Sequence, residues 1–240
     1  MSREQEISRV FVELADTLVA EYDVVDLLHT LAERCVDLLH ADAAGIMLSD
    51  QRGSLQALAA TSREARILEL LELQNAEGPC LDCFSSGRPV VNLDPEEAAS
   101  RWPQFNAATA KFGYRSAHAL PLRLRDRVIG AMNLFCVEQR TLSDDDIALG
   151  QALADVATIG LLHERAVREQ EVLAEQLQTT LNSRVLIEQA KGALAERANV
   201  EVDEAFVMMR SHSKQTRRRL RNVAAEVLDG SLSPDQLQPS

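Results

Sequence analysis

In VVDLLHTLAERCVDLLH the apolar residues fall at positions 24, 27, 28, 31, 35, 38 and 39, steps of three and four that gather them on one helical face. The stretch 4–40 reads as helical on this pattern, with Asp23 able to cap the start of that run. From 42 to 61 the rhythm shortens. DAAGIMLSD, then DQRG, then SLQALAAT predict strand, turn and strand, and Asp50 and Gly53 supply the turn chemistry. Helix returns over 63–74, and Gly78-Pro79 breaks the chain. Residues 80–86 predict one short helix, PVVNLD from Pro89 a short strand, and 95–112 helix and loop around Trp102 and Pro103.

The clearest strand signal is YRSAHALPLRLRDRVIGAMNLFCV, 114–137, where two apolar runs flank Arg125-Asp126-Arg127 as in a hairpin. Alternation puts Val128, Gly130, Met132 and Leu134 on one face and Ile129, Ala131 and Phe135 on the other. Apolar residues on both faces imply a sheet covered on both sides. The order helix, strands, helices, strands therefore predicts an α+β domain with an antiparallel sheet between helical layers.

From 143 to about 181 the pattern is unbroken helix. Ser143 followed by three aspartates makes a favourable start, a cap plus acids in the first turn. Its apolar face is dense at Ile147, Leu149, Leu153, Val156, Ile159 and Leu162, then thins to Ala166, Leu173, Leu177 and Leu181, as in a short coiled coil leaving a domain. Residues 182–229 predict three helices, about 182–197, 202–214 and 217–229, with Asn199 between the first two and Gly230 ending the last. The expected organisation is a domain over 1–165, a coiled-coil linker helix over 166–181, a three-helix bundle over 182–230 and a disordered tail, SLSPDQLQPS, over 231–240.

Charge refines this picture. The chain of 240 residues carries a net charge of −12, yet residues 182–229 hold nine Lys/Arg against seven Asp/Glu. Within 210–221 six of twelve residues are basic and none is acidic. An acidic body with a local basic patch suppresses indiscriminate polyanion binding while keeping one docking face. Arg210 and Lys214, near the end of the second predicted helix, suit its dipole. Arg217, Arg218, Arg219 and Arg221 at a helix start do not, and an outside anion such as a phosphate backbone would offset the cost. Gly192, beside Lys191 in a predicted helix, costs about 1 kcal/mol against alanine. A helix accepts that where another backbone comes close, from a packed helix or a ligand.

The N-terminus, MSREQEISRV, has no apolar core of a signal peptide, and no apolar run reaches the roughly 18 residues of a membrane span, so a soluble cytoplasmic protein is expected. Cys80 and Cys83 form a C-x-x-C, the spacing of a redox pair or half a zinc site, but no second pair of ligands accompanies them. His118 on a strand is a candidate partner for either thiol, without an evident orienting acid. No P-loop, G-x-G-x-x-G or H-E-x-x-H occurs. No catalytic residue, metal or cofactor is therefore assigned.

With these residues in view the chain resembles known families. SRVLIEQAKGALAE (183–196), DEAFVMMR (203–210) and RRLRNVA (218–224) are similar to an ANTAR domain, the RNA-binding module of bacterial transcription antiterminators. ALPLRLRDRVIGAMNLF (119–135) and the opening around DAAGIMLSDQRG resemble a GAF domain, a small-molecule sensor fold, over 5–165. The resemblance implies a homodimer that binds paired hexaloop hairpins in nascent RNA and prevents terminator formation, under control of a GAF domain whose ligand is unknown. It points to Ala190, Lys191, Gly192, Arg210, Arg218 and Arg219, and with the basic patch to Lys214 and Arg217, as RNA-binding residues. Phe206, Leu220, Val223 and Ala224 are expected to pack. Family members often carry Asn where this chain has Arg217. Two alternatives stand beside this reading: a GAF-fold thiol reductase of methionine sulfoxide using Cys80 and Cys83, and a DNA-binding regulator.

Overall fold

The computed structural model describes residues 2–19, 23–50 and 52–237, which fall into two compact units divided between Arg165 and Ala166.

In the first unit, helices α1 (Arg3–Val19) and α2 (Val24–Leu39) precede strands β1 (Ala43–Ser49) and β2 (Leu55–Ala60). The Asp23 side chain accepts from the Val25 N–H at 2.7 Å, the predicted cap, and His40 closes α2 in the left-handed region. Asp50 accepts from the Arg52 and Ser54 N–H groups and Gly53 takes φ 83°, which shapes the β1–β2 turn. Four helices follow: α3 (Arg63–Asn75), α4 (Pro79–Ser86), α5 (Pro95–Arg101) and α6 (Pro103–Lys111). The start of α6 is capped from afar, because Glu77 accepts from the N–H groups of Gln104 and Phe105. The predicted strand from Pro89 reduces to a single bridge between Val90 and Ala119. Asn92, in the left-handed region at φ 57°, turns the chain away immediately after it.

Strands β3 (Ser116–Leu124) and β4 (Arg127–Cys136) form the expected hairpin, tightened to a two-residue turn by Arg125 at φ 54°. The sheet is antiparallel throughout in the order β2-β1-β4-β3. One face carries Ala44, Ile46, Leu120, Met132 and Leu134 and packs on α1, α2 and the first turns of the following helix. The other carries Ala43, Met47, Ala119, Ala131 and Phe135 beneath α3, α4 and α6, where Tyr114 lies 5.3 Å from Phe135, centroid to centroid. Ile129, expected beside Ala131 and Phe135, joins the first cluster instead, and a register shift near Leu122 accompanies the change.

Helix α7 runs from Asp144 to Ala198 without interruption, 55 residues. Ser143 and Asp146 bond reciprocally at its start. The separate linker helix and first bundle helix of the sequence reading are thus segments of one element. Nothing in residues 166–190 breaks a helix, since no proline or glycine occurs there.

The second unit consists of the end of α7 with α8 (Val202–Thr216), α9 (Leu220–Asp229) and a 3₁₀ turn at Pro234–Leu237. Its core joins Ala190 and Leu194 of α7, Ala205 and Met209 of α8, and Val223, Ala224 and Val227 of α9. Phe206 and Leu220 pack against that core, half-buried. Asn199 (φ 52°) and Gly230 (φ 81°) end their helices as expected. The tail expected to be disordered packs instead: Leu232 and Leu237 are buried in the bundle core, because the turn after Gly230 brings the chain back across α8. Residues 238–240 lie outside the described residues.

Candidate nucleic-acid interface

The basic residues of the second unit are set by the periodicity of α8. Phe206, Arg210 and Lys214 follow at steps of four, so they keep to one side of the helix, and Arg217 follows at its C-terminal cap. The opposite side, Ala205, Met208 and Met209, is buried. Lys191 joins this line from α7, its Nζ 5.3 Å from the centre of the Phe206 ring, a cation–π contact. The line thus runs Lys191, Phe206, Arg210, Lys214, Arg217.

The arginine cluster does not open a helix as the sequence suggested. Arg217 closes α8 in the left-handed region (φ 53°), and Arg219 occupies the N-cap position of α9. Arg218 lies between them, gripped by Ser213. The Arg218 N–H donates to the Ser213 carbonyl at 3.0 Å, and the Ser213 hydroxyl donates to the Arg218 carbonyl at 2.6 Å. Sequence reasoning missed Ser213, and only its place three residues before the break in SHSKQT hints at such a clamp. The Arg219 side chain has no acceptor for the first N–H groups of α9, and the helix has no side-chain cap. Those donors, with the dipole behind them, favour an anion from outside.

The cations differ in availability. Arg218 pairs through both terminal nitrogens with Glu226, whose carboxyl is thereby held below the usual glutamate range. Lys191 pairs with Glu188 at 3.0 Å. Pairs at the surface are worth little, so neither holds its cation strongly against a phosphate. Arg210, Lys214, Arg217 and Arg219 are exposed and have no acidic partner within ion-pair distance among the described residues. Ala190 is corrected: it is wholly buried in the bundle core and presents nothing to a ligand. Gly192 differs from it. A Cβ there would meet nothing within 4 Å, so no helix packs on it and the space above it is open.

A family model described as GAF domain matches residues 21–162, and one described as ANTAR domain matches residues 175–228. The chain belongs to the GAF–ANTAR family. It joins a GAF domain to an ANTAR domain, the architecture of a regulator with a sensor unit. Among solved structures, the GAF domain of a phosphoenolpyruvate-protein phosphotransferase from Acinetobacter is 18% identical, with 70% of this chain and 98% of that chain covered and a TM-score of 0.52. Free methionine-R-sulfoxide reductase from Neisseria meningitidis, in complex with its substrate, is 16% identical, covering 67% and 91%, with a TM-score of 0.50. At these identities the likeness concerns the fold of the GAF unit alone. No curated protein matches the chain.

The interior of the GAF unit bears on the thiol-reductase alternative. Cys80 and Cys83 are buried free thiols on α4. Burial pushes the Cys83 thiol up to about 12 and Cys80 well above the usual range, whereas a nucleophilic cysteine needs its thiolate. His118 is also buried, and desolvation lowers it to about 4, leaving a neutral ring. Its Nδ1 accepts from the Asn92 N–H at 3.1 Å and its Nε2 has no partner, so His118 bonds to neither thiol. Among the described residues no group of three or more His, Cys, Asp or Glu is placed to hold a metal, and no helix is long and apolar enough to cross a membrane.

Two buried acids on α3 escaped the sequence reading. Glu69 lies over Gly45 of β1, where a Cβ would collide with its carboxyl, and both its oxygens lack partners. Glu72 accepts from Asn133 Nδ2 at 2.8 Å and from the Leu81 N–H at 3.1 Å. Asn133 is the register partner of Gly45, so both acids sit over the middle of the sheet. Burial pushes Glu72 up to about 7, against the hydrogen bond from Asn133. Burial, and then the charge of Glu72, pushes Glu69 well above the usual range.

Proposed function

We propose that this chain is a transcription antitermination regulator acting in the cytoplasm. Two copies pair, and their ANTAR bundles take the loops of paired hairpins in nascent RNA and hold an arrangement that prevents a terminator from forming. The GAF unit controls the output by binding a small molecule. Such a ligand shifts the regulator only if it binds the active and inactive states with different affinity.

The observation that carries the reading is the line of cations from Lys191 through Arg210 and Lys214 to Arg217, most of them without acidic partners, in a chain of net charge −12. Unstacked loop bases and the phosphates beside them are the complement of such a surface. Support for pairing comes from α7, where Leu173, Leu177, Leu181 and Val185 lie more than half exposed at steps of four. An apolar ridge of that kind suits a second helix of the same sequence. Two linked bundles would then raise the effective concentration for the second hairpin.

Gel shifts with a two-hairpin RNA carrying hexanucleotide loops test the reading. Lys191→Ala and Arg219→Ala each weaken binding by about tenfold, the scale of one charge-assisted contact, with the bundle still folded. Unchanged affinity in both variants removes the proposed surface. Preference for duplex DNA over hairpin RNA at fixed salt would assign the surface to DNA instead.

A further inference from the structure

Between residues 179–186 of α7 and the start of α9 the second unit has a cleft of ≈ 400 Å³ that, Arg221 apart, none of the site residues discussed above lines. Leu186 of α7 and Ala225 of α9 provide its apolar part, and Asn182, Ser183, Arg221 and Asn222 surround it. No carboxylate lines it. The polar groups are largely uncommitted. The side chains of Arg221 and Asn222 have no hydrogen-bond or ion-pair partner among the described residues. Asn182 accepts from Gln178 Nε2 at 2.9 Å through its oxygen, which leaves its NH₂ free. Ser183 donates to the Thr179 carbonyl at 2.7 Å, which leaves its oxygen free to accept.

This combination is selective in its chemistry. A small apolar patch flanked by carboxamides suits a planar heterocycle that presents donors and acceptors on its edge. A side-chain amide reads such an edge with two parallel hydrogen bonds. Arg221, one residue from the Asn222 amide, supplies a cation for the phosphate attached to the same nucleotide. It also continues the series Arg217, Arg218, Arg219 into the first turn of α9.

We infer that the cleft between α7 and α9 is a pocket for one unstacked nucleobase of the RNA loop, with the Asn222 amide contacting the base edge and Arg221 its phosphate. The inference rests on the RNA-binding reading above and adds to its line of cations a separate subsite with an uncharged base-reading group. Loop bases can be splayed out in this way because they are unpaired.

The test is a coupling measurement on the full-length protein. Each loop nucleotide of the hairpin RNA is replaced in turn by an abasic residue, and affinity is measured for wild type, Asn222→Ala and Ala225→Phe, the last filling the cleft. The cleft predicts one loop position whose abasic replacement costs wild type at least fivefold and costs both variants nothing further. Circular dichroism melts confirm that each variant is folded. If wild type binds the RNA and no loop position couples to either variant, the subsite is wrong while the RNA reading stands. If Arg221→Ala weakens binding equally at every position and Asn222→Ala has no effect, the cleft holds phosphate only, and the base pocket is refuted. If wild type does not bind hairpin RNA at all, both readings fall together.

Discussion

Replacing Glu72 by glutamine alters the pH dependence of the GAF unit in a direction fixed by its surroundings. Burial pushes the folded carboxyl up to about 7, from the 4.5 of a free glutamate. The folded state therefore holds a proton that the unfolded chain has released between those two values. Stability is full below the unfolded pKa and falls as pH rises towards and through the folded one. At about 1.4 kcal/mol per pH unit the shift amounts to roughly 3 kcal/mol of stability missing at pH 8. The new amide fits the site, because Asn133 Oδ1 has no partner and a turned Asn133 can accept from it. Glu72→Gln should thus match wild type at pH 4.5 and exceed it at pH 8. For a unit of this size that difference is a rise of roughly 6–12 °C in melting temperature. Scanning calorimetry from pH 4.5 to 8.5, following the transition of the GAF unit, measures it. Glu69 is pushed the same way, so some slope persists in the single variant and diminishes further with Glu69→Gln. Parallel pH curves for wild type and Glu72→Gln would mean that Glu72 titrates normally and that its burial has been misjudged.

Other outcomes follow from the second unit. Gly192→Ala should raise its stability by about 0.5–1 kcal/mol, since the added methyl meets nothing and only helix propensity changes; a lowered melting temperature would place a hidden neighbour there. Leu237→Ala should cost about 2–3 kcal/mol in urea unfolding, and an unchanged midpoint would detach the final 3₁₀ turn from the core. The double substitution of Leu177 and Leu181 by aspartate should give a monomer by light scattering, and a persistent dimer would move the pairing surface off α7.

The elements governed by local pattern were legible in the sequence. Asp23 and Ser143 announce the helices they cap, and the residues around Arg125-Asp126 announce their hairpin. The cationic side of α8 was legible too, because it needs only helical periodicity. What escaped depends on residues distant in the chain. RILELLELQN reads as a helix with a wet acidic face, and nothing within it tells that Gly45 and Asn133 open a place for two carboxyls beneath. SLSPDQLQPS reads as a polar tail, because its two leucines sit too far apart to form a local pattern and gain their burial from the bundle. Ala190 illustrates the same limit within the site. Its neighbour Lys191 reaches the surface while it is buried in the core that also holds Val223 and Ala224.

The missing cap on α9 ties recognition to dynamics. Without a side-chain acceptor at Arg219, the amide hydrogens of Leu220 and Arg221 have no intrahelical bond and should exchange quickly with solvent in the unliganded protein. A nucleic-acid phosphate seated there would complete the helix, and under the proposed function the transcript would be a structural part of the bundle as well as its target. Protection of these two amides would then report occupancy directly, and the bundle would gain heat resistance in proportion to the logarithm of free RNA above its dissociation constant.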